Sequence, residues 1–80
     1  MDDDNVIDRI NQLADEEHAL FERESDGRAS DADRERLREL EIMLDQCWDL
    51  LHQRRARASA GLDPDGAQFR DARTVEGYEA

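Results

Sequence analysis

The stretch LRELEIMLDQCWDLL, residues 37–51, decides the fold of this chain. Its seam residues are separated alternately by three and four positions: Leu37, Leu40, Leu44, Cys47 and Leu51. This spacing is typical of a coiled coil, and a helix that carries it must bury the seam against another apolar surface. A second segment with helical periodicity lies closer to the N-terminus. The sequence therefore predicts an all-α fold in which two helices pair.

The N-terminal helix is predicted over residues 4–25. Asp2, Asp3 and Asp4 can cap its first turn, where negative charge also interacts favourably with the helix dipole. The apolar residues of this segment follow the period of a helix. They are Val6, Ile7, Ile10, Leu13, Ala14, Leu20 and Phe21. This stripe is the surface that we expect to cover the seam.

A short break, SDGRAS at residues 25–30, separates the two predicted helices. Gly27 can adopt the left-handed conformation that ends a helix, and Ser30 can cap the helix that follows. Asp33 stands where a capping box usually has Glu or Gln. Because the connection is short, we expect the helices to fold back antiparallel.

The second helix is predicted over residues 31–59, with Gly61 marking its end. The two helices then form one antiparallel, coiled-coil-like hairpin over residues 1–60. In the register set by the break, Ile7 lies near Trp48. The acidic start of the first helix lies near the basic end of the second.

Residues 61–80 form a C-terminal tail of different character. Leu62 to Gly66 is predicted to turn, because Pro and Gly occupy positions that suit a β-turn. Beyond the turn, Phe69, Val75 and Tyr78 are the residues able to anchor the tail. We expect it to be extended, either disordered or laid across a helical surface.

The last turns of the second helix, from His52 onward, are expected to extend past the first helix. They carry the only basic cluster of the chain, formed by Arg54, Arg55 and Arg57. Three targets are open for this cluster. They are the acidic N-terminus of a second copy, the acidic tail of the same chain, and an outside partner.

Trp48 and Leu50 widen the apolar stripe beyond what a two-stranded contact requires. Two hairpins that pack together would cover it, so we predict a homodimer that completes a four-helix bundle. The chain is then a protein-interaction or oligomerisation module. The residues predicted to serve the interaction are Trp48, Leu50, Leu51, Arg54, Arg55, Arg57 and Tyr78.

The charge of the chain limits its partners. Its 80 residues include 22 acidic and 11 basic side chains, for a net charge of -11. This charge disfavours direct binding to nucleic acid or to an anionic membrane, since both repel it. An alternative is an acidic regulator, or nucleic-acid mimic, that binds a basic partner. The single Cys and the lack of an N-terminal signal predict a cytoplasmic protein.

Two Asp-x-x-His pairs are the main candidates for chemistry, Asp15 with His18 and Asp49 with His52. Carboxylate and His pairs on one helix face occur in metal-binding bundles, so a metal-binding helical bundle is a further alternative. The two pairs lie too far apart to meet within one hairpin, and a dimer would have to assemble such a site. The sequence otherwise predicts no enzyme and no cofactor, because no catalytic constellation is present. Cys47 is interpreted as a core residue.

A resemblance supports this interpretation of the chain. The block LDQCWDLLHQRRAR, residues 44–57, is similar to a short actinobacterial family with a domain of unknown function, family number 2630. The similarity continues through AGLDPD at residues 60–65 and VEGY at residues 75–78. It implies a small, stand-alone bacterial cytoplasmic protein. It assigns no activity, cofactor or catalytic residue.

Overall fold

The computed structural model describes residues 3–71 as a pair of helices followed by a short turn of helix. Helix α1 spans Asp3–Ser25, helix α2 spans Asp31–Ser59, and a 3₁₀ helix spans Pro64–Gly66. Within these residues there is no β-strand. The predicted all-α antiparallel hairpin is confirmed. The part of the tail that includes Tyr78 lies outside the described residues.

Local hydrogen bonds fix the turn between the helices where the sequence places it. Gly27 has a φ of 72°, in the left-handed region that ends helices. Ser30 and Asp33 form the predicted capping box: the Ser30 hydroxyl accepts from the Asp33 N–H at 3.1 Å, and the Asp33 carboxylate accepts from the Ser30 N–H at 3.0 Å. The backbone bond from Ser30 holds the pKa of Asp33 below its usual range.

The predicted seam forms the centre of a single-layer core. The buried apolar residues come from both helices: Val6, Ile10, Leu13, Leu37, Leu40, Cys47, Leu50 and Leu51. Leu44 is partly buried and packs against this cluster. Phe21 differs from the expectation, because its side chain is 44% exposed. It borders a cleft near the turn, where α2 presents Leu37 between the charged residues Arg34 and Arg38.

Three ion pairs connect the two helices and show their register. Arg54 bonds Asp3 at 2.7 Å, Arg36 bonds Glu16 at 2.6 Å, and Arg23 bonds Asp33 at 3.1 Å. The hydrogen bond from Arg36 lowers the pKa of Glu16. These pairs agree with the predicted register to within a few residues. The acidic start of α1 therefore meets the basic end of α2, as expected from the sequence.

The chain reverses direction after α2 and returns along it. Gly61, with a φ of 76°, closes the helix, while the N–H of Leu62 donates to the carbonyl of Arg57 at 2.8 Å. This is the Schellman arrangement that ends many helices. The Asp63 carboxylate then accepts from the Asp65 N–H at 2.9 Å, which tightens the 3₁₀ turn. Residues 62–71, called the strap below, lie against one side of the hairpin.

Polar side chains of α2 hold the strap by its backbone. Gln53 donates to the carbonyl of Gln68 at 2.7 Å, and Gln46 donates to the carbonyl of Arg70 at 3.3 Å. Arg70 in turn pairs with Asp49 at 3.4 Å.

Within residues 3–71, neither helix is long and apolar enough to cross a membrane.

Candidate interaction surface

One face of α2 stays uncovered in the described part of the chain. It consists of Glu41, Asp45, Trp48, His52 and Arg55, separated by four, three, four and three residues, and is called the Trp48 face below. This heptad spacing places the five side chains along one stripe of the helix. The strap contacts the other flank of the core seam, through residues such as Gln46 and Gln53. Within residues 3–71, the hairpin is therefore covered on one side only.

Trp48 lies at the centre of this face. Its side chain is 45% exposed, and its ring lies 6.2 Å from the ring of His52 at an angle of 36°. Glu41, His52 and Arg55 are exposed, and Asp45 is partly buried. The face thus combines one large aromatic ring with charged groups of both signs.

The strap covers one part of the widened apolar stripe of α2 and leaves the other part exposed. Leu50 is buried, and it lines a cavity of about 220 Å³ together with Ala67 and Phe69 of the strap. Leu51 is buried in the core between the helices. Both were predicted to serve an interaction, but the chain covers them itself. Trp48 is left as the large apolar residue of the stripe that remains exposed.

Arg54 corrects the expectation that the end of α2 projects uncovered. Its side chain is only 6% exposed. It bonds Asp3 of α1 at 2.7 Å and Asp65 of the 3₁₀ turn at 3.0 Å. The hydrogen bonds to Asp3 and then to Asp65 raise the pKa of Arg54, and the bond from Arg54 lowers the pKa of Asp65. The reversal after α2 brings the acidic tail back onto this arginine.

The other two arginines of the cluster differ in their burial and in their contacts. Arg57 is partly buried and donates to the carbonyl of Asp63 at 2.6 Å, with its guanidinium against Gly66. Arg55 is exposed, and its side chain makes no hydrogen bond or ion pair within residues 3–71. Of the predicted basic cluster, Arg55 is the member available to a partner.

The two histidines lie on exposed surface and far from each other in the hairpin. His18 lies 3.2 Å from Glu22, while Asp49 bonds Arg70 and Gln53. Within residues 3–71, neither histidine makes an ion pair with the aspartate three residues earlier. Between residues 3 and 71, no group of three or more His, Cys, Asp or Glu side chains could hold a metal ion.

Cys47 is buried in the core, which confirms its interpretation as a core residue. Burial raises the pKa of its thiol, so that the reactive thiolate is disfavoured. A small cleft of about 180 Å³ separates it from Phe69 of the strap. We therefore expect access to the thiol from solvent to depend on the strap.

Sequence reasoning missed the residues that hold the strap. Gln46 and Gln53 lie seven residues apart on one flank of α2, and this spacing is the signal that could have identified them. It also missed the order of charges on the Trp48 face, where Glu41 and Asp45 precede the tryptophan and Arg55 follows it.

Comparison with known proteins places the chain among similar sequences. A family model described as "Protein of unknown function (DUF2630)" matches residues 2–80. An uncharacterized protein of Mycobacterium bovis is 46% identical over 77 residues, covering 95% of this chain and 88% of that protein. An uncharacterized protein of Mycobacterium tuberculosis matches with the same identity and coverage. No solved structure gives a significant match. The family resemblance noted from the sequence is confirmed.

Proposed function

Because the chain belongs to the DUF2630 family, whose description names no activity, we propose from its geometry that it is a helical protein-interaction module. The Trp48 face is its working surface. The observation that carries this proposal is the exposure of Trp48, at 45%, on the side of the hairpin that the strap leaves open.

The composition of the face supports this proposal. Single exposed apolar residues are ordinary on protein surfaces. Trp48 differs because it lies at the centre of a heptad-spaced stripe whose border is charged. Interfaces are enriched in Trp and Arg, and these residues dominate their binding energy when a charged rim surrounds them. Arg55, which has no partner in the described residues, is available for such a contact.

The module is proposed to act without catalysis, in the cytoplasm. The resolved pKa shifts support a structural use of its ionisable groups: Glu16 is paired with Arg36, Asp65 is paired with Arg54, and Asp33 caps a helix. None of these groups is poised in a deep pocket. Each group instead helps to hold two segments of the chain together.

An acidic regulator that binds a basic partner is the second candidate, favoured by the net charge of -11. Such binding is electrostatic and decreases steeply with salt. A complex that persists at about 1 M salt, where the Debye length is about 3 Å, would rule it out. The remaining alternative, a metal-binding bundle, requires a second copy to complete the ligands around His18 or His52.

Native complexes test the interaction module directly. Tagged wild-type chain, Trp48→Ala and Leu62→Ala are expressed in the source bacterium, cross-linked lightly, and separated by size. Leu62 is 53% exposed and provides a matched control, since it is an exposed apolar residue outside the Trp48 face. We expect the wild type and Leu62→Ala in complexes larger than the 9.3 kDa chain, and Trp48→Ala as the single chain. Complexes that survive Trp48→Ala would contradict the proposal.

A further inference from the structure

The charges of the Trp48 face are segregated along the helix. Glu41 and Asp45 lie on the N-terminal side of Trp48, and His52 and Arg55 lie on its C-terminal side. The face is therefore acidic at one end and basic at the other, with the aromatic ring between them. This order of charges favours a partner whose surface carries the opposite order.

The charged groups of this face find no counterpart inside the chain. Glu41, Asp45 and Arg55 make no ion pair or side-chain hydrogen bond within residues 3–71. Arg9 and Arg38 also lack an ion pair within these residues, whereas six other arginines pair with carboxylates of the same chain: Arg23, Arg28, Arg34, Arg36, Arg54 and Arg70. The Trp48 face thus presents groups of both signs that an incoming surface can pair.

A second copy supplies the matching order of charges when it runs antiparallel. Glu41 and Arg55 each lie seven residues, or about two helical turns, from Trp48. A two-fold axis at Trp48 therefore places Glu41 of each chain opposite Arg55 of the other. The same axis brings Asp45 towards His52. A parallel pairing would instead place like charges together, which is unfavourable.

We infer that the Trp48 face binds a second copy of this chain, with the two α2 helices antiparallel about a two-fold axis at Trp48. This inference rests on the proposed function, and it names the partner of that surface. The interface is isologous, as in most soluble dimers, and it makes a four-helix assembly of two hairpins. Both Trp48 rings are buried at its centre, where a pair of aromatic rings contributes beyond its buried area.

The overall charge makes local complementarity necessary. Each copy carries a net charge of -11, so two copies repel one another at long range. Most of the surface therefore disfavours self-association. On the Trp48 face, Glu41 of each copy meets Arg55 of the other, and this local match selects the antiparallel orientation.

Charge reversal in the purified full chain tests the inference. Sedimentation equilibrium compares the wild type with Arg55→Glu, with Glu41→Arg, and with the double variant that exchanges the two charges. We expect a wild-type dimer, and each single variant should weaken the dimer about tenfold or more, which corresponds to about 1.4 kcal/mol. The double variant should recover an affinity within about threefold of the wild type. Circular dichroism confirms that each variant keeps its helices.

Glu35→Arg is the matched control, because it changes the net charge as Glu41→Arg does but lies on an exposed part of α2 outside the face. It should not weaken the dimer. A double variant that stays as weak as the single variants would overturn the antiparallel pairing. A wild-type chain that stays monomeric at about 100 µM would overturn the inference as a whole. In that case the proposed function still stands if the native complex depends on Trp48, and falls if it does not.

Discussion

Replacing Leu40, the most deeply buried side chain of the hairpin, by Ala should lower the free energy of unfolding. Leu40 is 0% exposed and packs in the cluster that joins the two helices. Leu→Ala substitutions in cores cost about 2 to 5 kcal/mol, depending on how far the site can collapse. The core here is a single layer between two helices, so relaxation is easy and we expect about 2 to 3 kcal/mol. The gain in helix propensity from Ala is small by comparison.

This loss is large for a chain of this size. At about 0.05 to 0.15 kcal/mol per residue, a domain of 80 residues has a stability of roughly 4 to 12 kcal/mol. The substitution therefore removes about a quarter to two fifths of a mid-range value. It should lower the melting temperature by roughly 10 to 20 °C, at about 4 to 8 °C per kcal/mol for a small domain.

Leu62→Ala is the matched control, since it makes the same chemical change at a side chain that is 53% exposed. It should change stability by less than about 0.5 kcal/mol. Urea unfolding followed by circular dichroism measures both variants at one protein concentration, because dimerisation would make stability depend on concentration. Equal losses for Leu40→Ala and Leu62→Ala would refute the assignment of the core.

Three further predictions concern the turn and the strap. Ser30→Ala removes the cap of α2 and should cost about 1 kcal/mol in urea unfolding, and no loss would show that the capping box is not needed. The pKa of Asp33 is lowered in the folded state, so its contribution is fully present above the unfolded pKa of about 3.9 and is lost as pH falls through the lower folded value. Between pH 5 and strongly acidic pH, the wild type should therefore lose more stability than Asp33→Asn, and equal losses would contradict this. Gln53→Ala removes both hydrogen bonds to the backbone of Gln68, at 2.7 and 3.4 Å, and should make the thiol of Cys47 react several-fold faster with a thiol reagent. An unchanged reaction rate would show that the strap does not limit access to the thiol.

The hairpin could be predicted because its signals are local and periodic. The seam residues Leu37 to Leu51 repeat with heptad spacing, and a helix with that pattern has few ways to bury it. Gly27 and Ser30 mark the turn through backbone conformation and capping, which depend on the nearest residues. The short turn then sets the antiparallel register.

The strap could not be predicted in the same way. It is held by Gln46 and Gln53, whose seven-residue spacing marks one flank of α2 but does not show which distant backbone groups they bond. The different roles of Arg54 and Arg55 follow from the strap and from helix geometry. Successive residues of a helix point about 100° apart, so Arg54 reaches the acidic tail while Arg55 points along the Trp48 face.

The central claim is that Trp48 is covered by a second copy of the chain. Trp48 is the only tryptophan, so the intrinsic emission of the protein comes mainly from this one ring. On dilution from about 100 µM to about 0.1 µM, the account predicts that emission shifts to longer wavelength and acrylamide quenching increases as the dimer dissociates. For Arg55→Glu, the same spectral change should occur at a protein concentration about tenfold higher or more. An emission spectrum and quenching constant of the wild type that do not change over this range would contradict the account.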